Sequence, residues 1–152
     1  MMLPVYLGML HRAEQVLAES LHTLGDGHAD EPDVYEATLL LAKQSEAHVE
    51  RLKPSLDRYG EQPDDEPERL HAVAIPEPRT GPLGLLRDLQ DVHLVATFVD
   101  ATYTLVKQAA SALRDDELLA AIAACEGETA IQVDWLAMRA SQAAPQALLV
   151  AG

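Results

Sequence analysis

The sequence predicts an all-α chain folded as an antiparallel four-helix bundle, and two observations predict it. In four stretches, apolar residues recur at alternating spacings of three and four, the period of a helix that buries one stripe. Between the second and third stretch lies a proline-rich connector long enough to run the length of such a bundle. Four seams of similar length, each needing cover, pack most simply against one another.

The first helix, residues 4–24, contains "LGMLHRAEQVLAESLHTL" with the seam Leu7, Leu10, Leu17, Leu21 and Leu24. Glu14 occupies the place a leucine would take. Pro4 suits a first helical turn, and in "GDGHAD" Gly25 and Gly27 are candidates for a left-handed stop. The second helix, 31–59, opens with Asp30 as a candidate cap, Pro32 in the first turn and acids at the positive end of the dipole. Its seam reads Tyr35, Thr38, Ala42, Ser45, Val49, Leu52, Leu56 and Tyr59, and Gly60 ends it.

The connector, 61–82, holds five prolines and a charge run. Some 20 extended residues reach about 60 Å, whereas a helix of about 30 residues is about 45 Å long, so the connector can cross the bundle. The third helix, 83–114, has the seam Leu85, Leu89, Val92, Ala96, Val99, Tyr103, Val106, Ala110 and Leu113. The fourth, 116–141, starts at "RDDELLAAI" with Asp115 or Asp116 as cap and the seam Leu119, Ile122, Glu126, Thr129, Val133, Leu136 and Ala140. No Gly or Pro separates helices three and four. A single helix of about 59 residues would be a rod close to 90 Å long, out of scale with a small domain unless a dimer supports it. An apolar tail, 143–152, contains the helix breaker Pro145.

The 152 residues suit one helical-bundle domain, 1–152, with 48% of residues apolar and few aromatic. A net charge of −14 disfavours nucleic acid and anionic membrane surfaces and draws cations without selecting among them. The lone Cys125, in "AAIAACEGE", reads as a small buried side chain and fits a reducing, cytoplasmic setting. No apolar run approaches a membrane span, and the start lacks the basic region of a targeting segment. There is no glycine-rich phosphate loop, nucleophile elbow or Cys-x-x-Cys pair.

Polar residues on the seams are the candidate site. A buried carboxylate without a partner costs several kcal/mol, so Glu14 and Glu126 each need a cation, a hydrogen-bond donor, a proton or water. His11 shares a face with Glu14 and pairs with it or joins it on a metal; Ser45 and Tyr103 are further partners for Glu14. Glu46 and His48 flank Ser45, and His93 and Asp100 flank the third seam. Counted in residues from the end where helices one and two meet, Glu14, Glu46, Asp100 and Glu128 fall near one level. Glu126 fits that level less well and is assigned a local hydrogen bond.

This layout of four helices, a long connector after the second and inward carboxylates resembles the ferritin-like superfamily over roughly residues 4–141. The resemblance implies a dimetal centre of one Glu from each of two helices and a Glu-x-x-His pair from each of the others. Glu14 matches the lone Glu of the first helix. Glu46 is nearest to the second helix's Glu, but Val49 stands where its histidine belongs and His48 is out of phase. Asp100 is a shorter acid, and neither Glu126, followed by Thr129, nor Glu128, followed by Ile131, completes a pair. Glu19-x-x-His22 faces away from the seam, and Glu68-x-x-His71 lies in the connector.

Helix three carries a second apolar stripe, Leu94, Phe98, Ala101 and Leu105, and helix four adds Ile131 and Trp135. A second stripe marks an association surface unless the tail, Ala147 to Val150, folds over it. The expected function is therefore a ferritin-like bundle without a standard dimetal centre and without a cofactor. It acts as a non-catalytic homodimeric binding or assembly protein, with a protein or small molecule as partner and Leu94, Phe98, Leu105, Ile131 and Trp135 as the dimer interface. The alternative is an iron- or manganese-dependent oxidoreductase or iron-handling protein using Glu14, Glu46, Asp100 and Glu128 with His11 or His48. A helical adaptor unrelated to ferritins has the same periodicity.

Overall fold

The computed structural model describes residues 1–60 and 72–150. They form four helices, α1 (Leu3–Gly27), α2 (Pro32–Tyr59), α3 (Gly81–Leu113) and α4 (Asp116–Pro145), followed by one π-helical turn, Gln146–Val150. The described residues contain no strand. Of the connector, residues 61–71, including Glu68 and His71, lie outside the described residues, as do tail residues 151–152.

Each helix packs on two others. α1 lies against α2 and α3, α4 lies against α3 and α2, and no close backbone contact joins α1 to α4 or α2 to α3. Cross-helix partners run in opposite numerical order: Glu14 and His22 of α1 meet His48 and Glu46 of α2, and Glu14 and His28 meet Tyr103 and Asp88 on α3. On α1 the core face is the stripe the spacing gives, with Leu7, Leu10, Leu17, Leu21 and Leu24 closed to solvent. Each such leucine contributes about 1.5–3 kcal/mol through removal of apolar surface from water.

The ends of α1 and α4 differ from expectation. Helix α1 runs through Gly25 and Gly27, and neither takes a left-handed conformation; among the described residues the positive-φ glycines are Gly60 and Gly81. Gly25 serves close approach, since a methyl group there would strike the Thr38 hydroxyl on α2, and Gly27 is covered by Pro78. The break between α3 and α4 needs no glycine. Arg114 takes the left-handed conformation (φ 54°), and Asp115 caps α4 by accepting from the Leu118 amide at 3.0 Å. Arg58 and Tyr59 of α2 grip that same carboxylate, so tertiary contacts hold a turn that local propensity leaves open.

At the other end α4 continues through Pro145 into the π-helical turn, so the proline alters the helix without stopping it. Helix α2 has Glu31, not Asp30, at its N-cap position. The last part of the connector is fastened at Asp88, fully buried on α3. This carboxylate accepts from the Arg79 amide (2.8 Å) and guanidinium (2.6 Å) and pairs with His28 Nε2 (2.7 Å).

Candidate functional site

Helix α4 turns slightly from its expected phase. Its buried face is Leu118, Ile122, Cys125, Thr129, Gln132, Leu136, Arg139 and Ala143. Glu126 is thereby moved from the seam to a flank, where Lys107 of α3 binds it at 2.7 Å. Its neighbour two residues on, Glu128, is turned toward α2. On α2 the buried stripe is wider than one heptad seam and takes in His48 as well as Ser45, Val49 and Leu52. His48 is thus in phase with the core, contrary to expectation.

These shifts build one cluster from all four helices. Glu14 of α1 is closed to solvent, and its Oε2 accepts from the Tyr103 hydroxyl of α3 (2.6 Å) and faces Nδ1 of His48 (2.6 Å). The other ring nitrogen of His48, Nε2, faces Oε1 of Glu128 on α4 at 2.9 Å. The Glu128 side chain remains 44% exposed, so the cluster runs from water to the middle of the bundle. The His48 and Tyr103 rings meet edge to face.

The electrostatics follow from this packing. Burial works against the His48 imidazolium, but the carboxylates of Glu14 and Glu128 outweigh it and raise its pKa. Burial, with Glu14 beside it, drives the Tyr103 hydroxyl far above its ordinary range, so it stays a donor. Burial also pushes the Cys125 thiol, next to Tyr103, up to about 11, and the cysteine behaves as a neutral packing group. The other oxygen of Glu14, Oε1, is buried without a hydrogen-bond partner among the described residues.

Of the expected mid-bundle set, Glu14, His48 and Glu128 come together. Glu46 points outward to an exposed pair with His22 (2.7 Å), which also accounts for His22 of the Glu19-x-x-His22 string. Asp100 is half-buried on α3, seven residues from Lys107 and on the same face, and His11 is half-buried one turn before Glu14. No family model, curated protein or solved structure matches this chain.

A dimetal centre of the ferritin type does not fit these residues. Both nitrogens of His48 are directed at carboxylates, Glu46 is engaged elsewhere, and among the described residues no group of three His, Cys, Asp or Glu side chains is placed to hold a metal ion. Chemically, the arrangement sets an imidazole between two carboxylates, with a tyrosine hydroxyl fixing the inner one.

Beside the cluster lies Gln132, which the seam spacing did not single out. Its amide donates to the Leu41 carbonyl (3.2 Å) and shares hydrogen bonds with Ser45. Asp88 and His28 were likewise missed. A stripe three residues wide admits such positions, whereas one heptad seam excludes them.

The apolar residues outside the seams separate into two groups. Leu94 and Phe98 line a groove of about 420 Å³ with Ala72–Pro76, and Leu105 lines another with Met2, Leu3 and Tyr6 of α1. Ile131 and Trp135 lie one and two turns after Glu128 on the same face of α4, the side turned to α2 and away from the Lys107–Glu126 contact. The two groups therefore leave the α3–α4 pair on opposite sides. The final turn packs against α3 with Ala147 buried, yet Leu94, Leu105 and Ile131 stay exposed, as do Leu148, Leu149 and Val150 of the turn itself.

Proposed function

We propose that this protein is a non-catalytic, cytoplasmic binding or assembly protein, a homodimer built on an antiparallel four-helix bundle of ferritin-like layout. The opposite numerical order of partners across the α1–α2 and α1–α3 pairs supports the bundle topology. The observation that carries the function is the open apolar face of α3, where Leu94 is 67% and Leu105 57% exposed, continued by Val73 at 68% and Met2 at 53%. No helix among the described residues is long and apolar enough to cross a membrane, so this face is not accounted for as part of a span. A second copy is the occupant that fits, since two like stripes meet around Phe98 and Ala101, with Asp91, which lines the groove beside Leu94, toward one end. Repulsion between the acidic subunits is screened beyond about 8 Å at physiological salt and acts at the rim. Light scattering at micromolar concentration tests this: the unaltered chain is expected as a dimer, and Leu94→Asp with Leu105→Asp as a folded monomer. A dimer that instead dissociates with Ile131→Asp and Trp135→Glu would move the interface to α4, and a monomeric unaltered chain would end the reading.

A further inference from the structure

The Glu14–His48–Glu128 cluster poses a problem of proton counting. A carboxylate only accepts, and a neutral imidazole carries one N–H, so a neutral ring between two carboxylates leaves one nitrogen lone pair facing an oxygen lone pair. Contacts of 2.6 Å and 2.9 Å on both ring nitrogens coexist only when the cluster holds one added proton. The titratable groups about the ring are Glu14 from α1, with His11 one turn before it, Tyr103 from α3, Cys125 and Glu128 from α4, and Arg51 on α2 itself. Tyr103 and Cys125 stay neutral, and the two short contacts join the ring nitrogens to the acids facing them, so the added proton lies between the imidazole and Glu14 or Glu128.

The two arms are unequal. Glu14 is sealed in the core and fixed by Tyr103, so it reaches water only if the core opens. The Glu128 side chain is 44% exposed and needs only a rotamer change. When a proton leaves, the less costly route is from Nε2, with Glu128 turning to solvent while Nδ1–H stays on Glu14.

We propose that Glu14, His48 and Glu128 form a proton-operated clasp that fastens α4 to the α1–α2 pair and opens at Glu128 when His48 becomes neutral. In the closed state one imidazolium links α1, α2 and α4, and Tyr103 adds α3. In the open state Ile122, Cys125 and Leu136 keep α4 packed and Gln132 keeps its bonds to α2, so loosening is local to the turns around Glu128. The stabilisation is complete below the unfolded histidine value near 6.5 and is lost as pH rises through the raised folded value.

The test is ¹⁵N NMR of the His48 ring in the full chain, with amide hydrogen exchange across residues 122–135, from about pH 6 to pH 10. In the unaltered protein both ring nitrogens are expected to be protonated at about pH 6. On raising the pH, Nε2 loses its proton while Nδ1 keeps its own. Exchange near residue 128, corrected for its intrinsic pH dependence, then rises roughly tenfold, as loss of one charge-assisted hydrogen bond requires. In Glu128→Gln the amide can donate to the neutral ring, so protection should persist throughout; in Glu128→Ala it should be low at every pH. A neutral ring at about pH 6, loss of the Nδ1 proton first, or an exchange profile in Glu128→Ala that follows the unaltered protein would overturn the clasp.

Discussion

His48 Nδ1 meets Glu14 Oε2 at 2.6 Å with both side chains shut away from water. Removing one partner of such a pair leaves the other buried without compensation, which costs more than the pair contributes. Glu14→Gln keeps the shape but removes the charge facing the imidazolium, and it should lower stability by about 3 kcal/mol at neutral pH. In a urea series, Glu14→Leu combined with His48→Leu should cost less than the sum of the two single changes. Strict additivity would show that the two groups are not coupled.

Asp88 should behave as a second buried hub. It is closed to solvent and holds His28 at the end of α1 and Arg79 at the end of the connector. Asp88→Ala leaves the buried His28 ring and the Arg79 amide without their acceptor. A loss of about 3 kcal/mol is expected, with faster proteolysis between residues 72 and 80. Unchanged cleavage there would mean that the connector is held by other contacts.

Asp115 sets the acid dependence at the α3–α4 turn. Arg58 first, then Tyr59 and the Leu118 amide, hold its carboxyl down to about 2, against 3.8 for the free group. Its contribution is thus present above about 3.8 and is lost as pH falls toward 2. Asp115→Ala should cost about 1–2 kcal/mol at pH 7, the usual worth of an N-cap. Its urea midpoint should fall less steeply than that of the unaltered protein between pH 5 and pH 2. Equal slopes would remove Asp115 from the acid response.

Gly25 separates propensity from packing. In an open helix, glycine to alanine gains about 1 kcal/mol, but here the added methyl group meets the Thr38 hydroxyl. Gly25→Ala should therefore destabilise the protein by about 1–3 kcal/mol. Adding Thr38→Ala should recover part of the loss, as a thermal melt would show. A stabilised single variant would mean that α1 and α2 can separate there without penalty.

The α3–α4 turn, the cluster and the apolar stripes show where sequence reading stops. Hydrophobic period alone determined the helical class and the α1 seam, because Leu7 to Leu24 repeat at the spacing of one helical face whatever packs on it. It also marked Glu14 as a carboxylate needing a partner, with Tyr103 among the candidates, since desolvation penalises an isolated charge in any fold. Period could not determine the phase of each stripe to within one residue. That phase put His48 inside, moved Glu126 to a flank with Lys107 and turned Glu128 to the ring. Only the tertiary structure decided these points. The partners of a buried acid are 34, 89 and, through the histidine, 114 positions away in the chain, the last being the difference between 128 and 14. The packing of four helices, and no local propensity, brings them within hydrogen-bond distance.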